Sequence, residues 1–218
     1  MKLRAVLLAS AFGAMTSTAF AADLMAPPPM APEMAATGSW DGAYAGFNLG
    51  YANGFSDHND FNTTVGDMGM VGWVLGGQVG YNATVAAGLV LGVQGDLDWT
   101  NVTGTYAPFP SVTQTNNWEG SLTGHIGFDA GTFMPYVLGG VAFVSTDRTS
   151  NDIGPTTESA VHVGYTVGVG AAAKVADNMS IFGELRYNNF GDHDYTLPSD
   201  PTVGLTSTEV RVGVNFHF

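Results

Sequence analysis

The segment Thr208-Glu209-Val210-Arg211-Val212-Gly213-Val214-Asn215-Phe216-His217-Phe218 puts Val210, Val212, Val214, Phe216 and Phe218 on one side and Glu209, Arg211, Asn215 and His217 on the other. A period of two is the signature of an extended strand with two unlike faces. The same pattern recurs through the chain. In residues 43–51, Ala43, Ala45, Phe47, Leu49 and Tyr51 oppose Tyr44, Gly46, Asn48 and Gly50. In 71–81, Val71, Trp73, Leu75, Val79 and Tyr81 oppose Gly72, Gly76, Gln78 and Gly80. In 89–99, Leu91, Val93, Leu97 and Trp99 oppose Gln94, Asp96 and Asp98. In 118–128, Trp118, Leu122, Ile126 and Phe128 oppose Glu119, Ser121, Thr123 and His125. Three more alternating segments cover 135–144, 161–171 and 179–189. The last of these sets Met179, Ile181, Leu185 and Tyr187 against Ser180, Glu184, Arg186 and Asn188.

Eight such segments have the roughly 9–11 residues that a tilted strand needs to cross a bilayer. An even number of antiparallel strands closes without leaving an unpaired backbone edge in lipid. No window after the N-terminal region reaches the ~18 apolar residues of a membrane helix. A soluble β-sandwich or lipocalin-like barrel would turn its apolar face inward and charge its surface. Here the non-apolar face is mostly Gly, Ser, Thr, Asn and Gln, so the pattern predicts an all-β, eight-stranded antiparallel transmembrane barrel with lipid outside and a polar lumen. Composition agrees: only 11% of the 218 residues are charged and 30 are Gly, against about 25% and 7% in ordinary soluble chains. Trp40, Tyr81, Trp99, Trp118, Tyr187 and Phe218 stand near segment ends, where interface aromatics belong.

Residues 1–21 read as an export signal. Lys2 and Arg4 precede an apolar run over 5–15 that is too short to span, and Ala19-Phe20-Ala21 fits a cleavage site. Residues 22–39 include Pro27-Pro28-Pro29 and Pro32, which favour an extended periplasmic tail. The barrel is then expected over 40–218. Short links at 82–88, 129–132 and 172–178 alternate with longer polar links at 53–69, 100–116, 145–158 and 190–206, which predicts periplasmic turns and external loops respectively. Net charge is −13, and −15 without the signal; a chain this acidic, with Arg148, Lys174, Arg186 and Arg211 as its remaining cations, is not a nucleic-acid binder. The chain has no Cys, which removes disulfides and thiolate sites.

Trp40-Asp41-Gly42-Ala43-Tyr44-Ala45-Gly46-Phe47-Asn48-Leu49-Gly50-Tyr51 resembles the first strand of small alphaproteobacterial outer-membrane barrels. Pro135 to Ala142 resembles their fifth strand, Asn178 to Gly191 their seventh, and Val210 to Phe218 their last. The resemblance covers residues 40–218 and extends to the membrane domain of outer membrane protein A. It implies residence in the Gram-negative outer membrane after export through the Sec pathway, no cofactor, and contact with outer-membrane lipid and lipopolysaccharide. It further implies periplasmic chaperones and the barrel-assembly machinery as partners during biogenesis, with Val214, Phe216 and Phe218 as the assembly signal. Members of this family are described as small porins, envelope-stabilising proteins, surface antigens or hemin-binding proteins. The chain ends at Phe218, so no periplasmic peptidoglycan-binding domain is expected.

Two readings of the lumen follow from the residues. Asp96, Asp98, Glu119, Glu184, Arg186, Glu209 and Arg211 should all point inward, with His125, His162 and His217. Buried charges must pair, so Arg186 and Arg211 are expected to bridge neighbouring carboxylates in a network that plugs the barrel. A narrow cation-preferring path is the alternative. The loop acids and histidines (Asp57, His58, Asp60 and Asp67; Asp147, Asp152 and Glu158; Asp192, His193, Asp194 and Asp200) are of types that bind divalent cations, but Asp57-His58-x-Asp60 and Asp192-His193-Asp194 are weak patterns, and solvated loop acids are the default reading. Ser121, His125 and Glu119 share a strand face but stand ~7 Å apart, beyond direct hydrogen bonding, so no catalytic site is expected.

Overall fold

A computed structural model describes residues 40–58, 68–106, 112–150, 156–194 and 202–218. The export signal and the Pro-rich tail lie outside these residues. The described chain is all strand: β1 (Gly42–His58), β2 (Met68–Ala86), β3 (Leu89–Thr100), β4 (Thr103–Tyr106), β5 (Val112–Phe128), β6 (Phe133–Ser150), β7 (Thr156–Ala176), β8 (Met179–Asp194) and β9 (Thr202–His217). Every pairing is antiparallel; the eight long strands pair in chain order, and short β4 lies against β2 and β5. β1 pairs with both β2 and β9, for example Phe47 with Gly77 and with Val214, so the eight long strands close into a ring.

The faces fall as the alternation requires. Phe47, Trp73, Leu97, Leu122, Val141, Val163, Leu185 and Val212 project outward and are exposed, whereas Asn48, Gln78, Asp96, Ser121, Thr166, Glu184 and Arg211 are buried inside. In water this inside-out distribution would aggregate; in a bilayer it buries the outer face in hydrocarbon. Tyr51, Trp73, Trp99, Trp118, Phe143, Tyr165 and Tyr187 form one outward girdle. Tyr51 pairs with Trp73 and Trp99 with Trp118 in register, with edge-on ring contacts at Tyr51–Trp73 (5.7 Å) and Trp118–Phe143 (5.8 Å). Tyr81, Phe128, Phe133, Phe216 and Phe218 mark the other border. From Trp73 to Tyr81 is eight residues, ~26 Å along a strand and ~20 Å along the normal at a ~40° tilt, close to the ~25 Å apolar band of such barrels.

Two expectations need correction. The strands run to 16–21 residues in β1, β2 and β5–β9, well past the segments read from sequence, and much of the predicted links at 100–116 and 145–158 is paired strand. In β6 and β7 both faces turn polar beyond the girdle, as in the Thr149–Thr157 hydroxyl pair (2.9 Å), so alternation fades while the ladder continues. Trp40 is the second correction. It is 1% exposed and turned into the barrel mouth, where its Nε1 donates to Gly131 O (3.1 Å), its edge meets His217 (5.9 Å) and the Lys174 ammonium lies 4.9 Å over its ring. It precedes β1 and so does not share that strand's outward alternation.

Glycine makes room for rings inside the lumen. A Cβ on Gly213 would sit 2.5 Å from the Phe182 ring and 2.4 Å from Phe47 O. Gly213→Val should therefore leave no folded barrel, read as loss of the faster-migrating unboiled band on a gel; normal folding would show that this close approach is dispensable.

Candidate functional site: the sealed lumen

Inward positions along β8 spell out the layering of the lumen: Phe182, then Glu184, Arg186 and Asn188, then Phe190, all buried. β3 repeats it, with Val90 below Gln94, Asp96 and Asp98, and Val102 after the strand. The lower apolar residues join Trp40, Met134 and Ala172 in one cluster at the end with the short turns. The upper ones join Ala52, Met70, Val74, Ala142, Val144 and Leu205 in a second cluster. A charged layer thus lies between two apolar layers.

Each charged side chain reaches that layer from a strand of fixed register, Glu184 opposite Arg211 and Arg186 opposite Glu209. Arg211 is the hub. Its Nη1 lies 2.8 Å from Asp98 Oδ2 and 3.6 Å from Asp96 Oδ2, and its Nη2 lies 2.7 Å from Glu119 Oε1 and 2.8 Å from Glu209 Oε2. Arg186 bridges Asp96 Oδ1 (2.9 Å) and Glu184 Oε2 (2.7 Å). Neutral donors complete the network. Tyr136 OH donates to Glu184 (2.7 Å), Ser121 to Asp96 (2.8 Å), Asn48 to Asp98 (2.8 Å) and Asn188 to Glu209 (2.6 Å). Such pairing is what burial of ionised groups demands. The structure therefore brings together all seven charged residues singled out from sequence.

Below the network, a cavity of about 20 Å³ lies between Trp40, Tyr44, Asn82, His125, Tyr136 and Asn215, room for about one water. Ser121, His125 and Glu119 do not converge: they bind Asp96, Asn82 and Arg211 respectively. Among the described residues no group of His, Asp and Glu is arranged to hold a metal ion. The side chains of Asp57, His58, Asp60, Asp67, Asp152, Asp192, His193, Asp194 and Asp200 lie outside the described residues.

Sequence reasoning missed both apolar layers. Phe182, Phe190 and Leu205 occupy inward positions, a phase that single residues inside a polar face do not reveal. It also missed Arg148, fully buried toward the loop end and opposite Glu158 in register. Beyond the girdle, Asp147 accepts from Ser159 Oγ (2.6 Å) and Asn117 Nδ2 (2.7 Å), and these two hydrogen bonds hold its carboxyl below the ordinary value. A folded pKa below the unfolded one contributes stability above the unfolded value that is lost as pH falls through the folded one. The Asp147 carboxyl carbon should titrate below the ordinary aspartate value by NMR, and Ser159→Ala should move it upward; an unmoved midpoint would remove Ser159 as a cause.

Residues 5–218 match the family model for the outer membrane protein beta-barrel domain. The 25 kDa outer-membrane immunogenic protein of Brucella abortus is 33% identical over 98% of this chain and 97% of its own. The 22 kDa outer membrane protein of Rhizobium leguminosarum is 32% identical over 83% of this chain and 79% of its own. The crystal structure of Neisserial surface protein A covers 82% of this chain and all of its own at a TM-score of 0.50 and 16% identity, a likeness of fold. With a ring of outward apolar strands between aromatic borders and relatives of this kind over nearly its whole length, the chain belongs to the outer membrane protein beta-barrel domain family and resides in the bacterial outer membrane.

Proposed function

We propose that the protein is a closed, non-catalytic brace of the cell envelope that meets the surroundings through its loop end. The observation that carries this reading is the charged layer held between two apolar layers. A solute or ion entering from either side meets packed hydrocarbon before it meets charge, so the lumen favours rigidity over transport. The same packing weighs against the small-solute porin. Purified protein in planar bilayers should add no conductance steps, and a strain lacking it should become more sensitive to detergent and chelator. Steady channel openings, or an envelope indifferent to the deletion, would overturn the brace.

A surface-antigen role is a second reading, favoured by relatives named as immunogenic outer-membrane proteins. Antibodies raised against the folded barrel should then label intact cells. Capture of a ligand such as hemin would fall to links outside the described residues. Outer-membrane lipid and lipopolysaccharide are the partners its outer face suits. Outward Val214, Phe216 and Phe218 suit recognition by the assembly machinery while β9 is still an open edge; deleting Phe218 should slow folding in cells.

A further inference from the structure

The charged layer does not balance. Between the two apolar clusters, Arg186 and Arg211 face Asp96, Asp98, Glu119, Glu184 and Glu209, two guanidiniums against five carboxyls. Three uncompensated negative charges buried together are costly, and such groups neutralise instead. A second observation points to the neutralising ligand. Glu119 Oε1 and Glu209 Oε2 bind the same nitrogen, Arg211 Nη2, at 2.7 and 2.8 Å, so two carboxyls crowd onto one donor atom. Ionised carboxylates are acceptors only, so two of them converging on one donor repel each other, and a proton on one turns that repulsion into a hydrogen bond. Asp96 Oδ2, buried and without a hydrogen-bond donor, marks the same surplus of acceptors one strand away.

We propose that the sealed layer is a proton-binding site: it captures protons as the barrel closes, the first shared between Glu119 and Glu209 in the manner of a carboxyl–carboxylate pair. The inference does not depend on the envelope role. The titratable and charged groups that face the layer are Tyr44 from β1; Asp96 and Asp98 from β3; Glu119 and His125 from β5; Tyr136 and, two inward positions beyond Val144, Arg148 from β6; His162 from β7; Glu184 and Arg186 from β8; and Glu209 and Arg211 from β9. β2 contributes neutral Gln78. Arg211 fixes the pair's geometry, and Val144 of the upper apolar cluster stands opposite Glu119 in register. Stripping the proton at alkaline pH restores the repulsion, so stability should fall as pH rises.

Infrared spectroscopy of the full-length barrel in lipid vesicles tests this. At neutral pH the wild type should show the C=O stretch of a protonated carboxylic acid that resists exchange into D2O. Glu119→Gln, which keeps the shape and a neutral group, should lose one acid equivalent of that band and resist alkaline unfolding better than wild type. No acid band in wild type at neutral pH would overturn the proposal. So would a fold that instead requires sodium, potassium or calcium in the buffer, since the neutralising ligand would then be a metal cation. Should Glu119→Gln fail to fold, the wild-type band and its loss on alkaline titration decide the question alone.

Discussion

Arg211→Met should be the most damaging loss of a single charge in the barrel, costing about 3–5 kcal/mol, the range for removing one partner of a buried ion pair. One guanidinium here touches four carboxyls from three strands, β3, β5 and β9, so its loss leaves like charges facing one another across the lumen. Methionine keeps most of the volume, which separates lost charge from lost packing. With a total stability of about 5–15 kcal/mol for a typical domain, little folded barrel should survive. Urea titration in lipid vesicles, followed by unboiled gel migration, reads the loss directly. Arg186→Met removes a cation that touches two carboxyls and should cost less. Arg211→Lys should recover only part of the loss, because one ammonium cannot reproduce a planar fork that reaches acids on both sides. An unchanged urea midpoint in Arg211→Met would mean that the network is ornamental and that the apolar layers alone hold the lumen.

What was legible in the sequence follows from what a period of two encodes. Along β9 each residue from Glu209 to His217 has its face assigned by parity, and once lipid is placed outside, the inward set of charges follows without any coordinates. Strand order was equally accessible, since links of a few residues force antiparallel neighbours. Partner choice was not. Arg211 to Glu119 spans 92 residues of sequence, and nothing local says which carboxyls meet which guanidinium. The apolar layers were hidden for a related reason. Phe182 and Phe190 have the parity of Glu184 and Arg186, so a reading by average face absorbs them as noise. Their meaning appears only when other strands bring Val90 and Met134 to Phe182, and Met70 and Leu205 to Phe190. Trp40 departs from the border expectation because proximity to a strand end does not fix position at the bilayer border: a residue before β1 is free to fold across the mouth.

Trp40→Ala tests that last point and should cost about 3–5 kcal/mol, as for other buried aromatic truncations. The indole is enclosed by Met134, Ala172 and Phe182 and capped by the Lys174 ammonium, and it closes the lower side of the lumen's small cavity. Trp40→Phe should recover most of the packing and lose the hydrogen bond to Gly131, about 1 kcal/mol. Fluorescence distinguishes plug from girdle. The chain has four tryptophans, and Trp73, Trp99 and Trp118 all face outward. In vesicles of brominated lipid those three should be quenched, leaving a residual emission that belongs to Trp40 and disappears in Trp40→Phe. Were Trp40 a lipid-facing border residue, quenching would be uniform and the phenylalanine variant would leave the unquenched fraction unchanged. Because the plug packs on the lower apolar layer and leaves the upper one intact, Trp40→Ala should destabilise the barrel without opening it to ions. A conducting Trp40→Ala barrel would show that the upper layer alone does not seal the lumen.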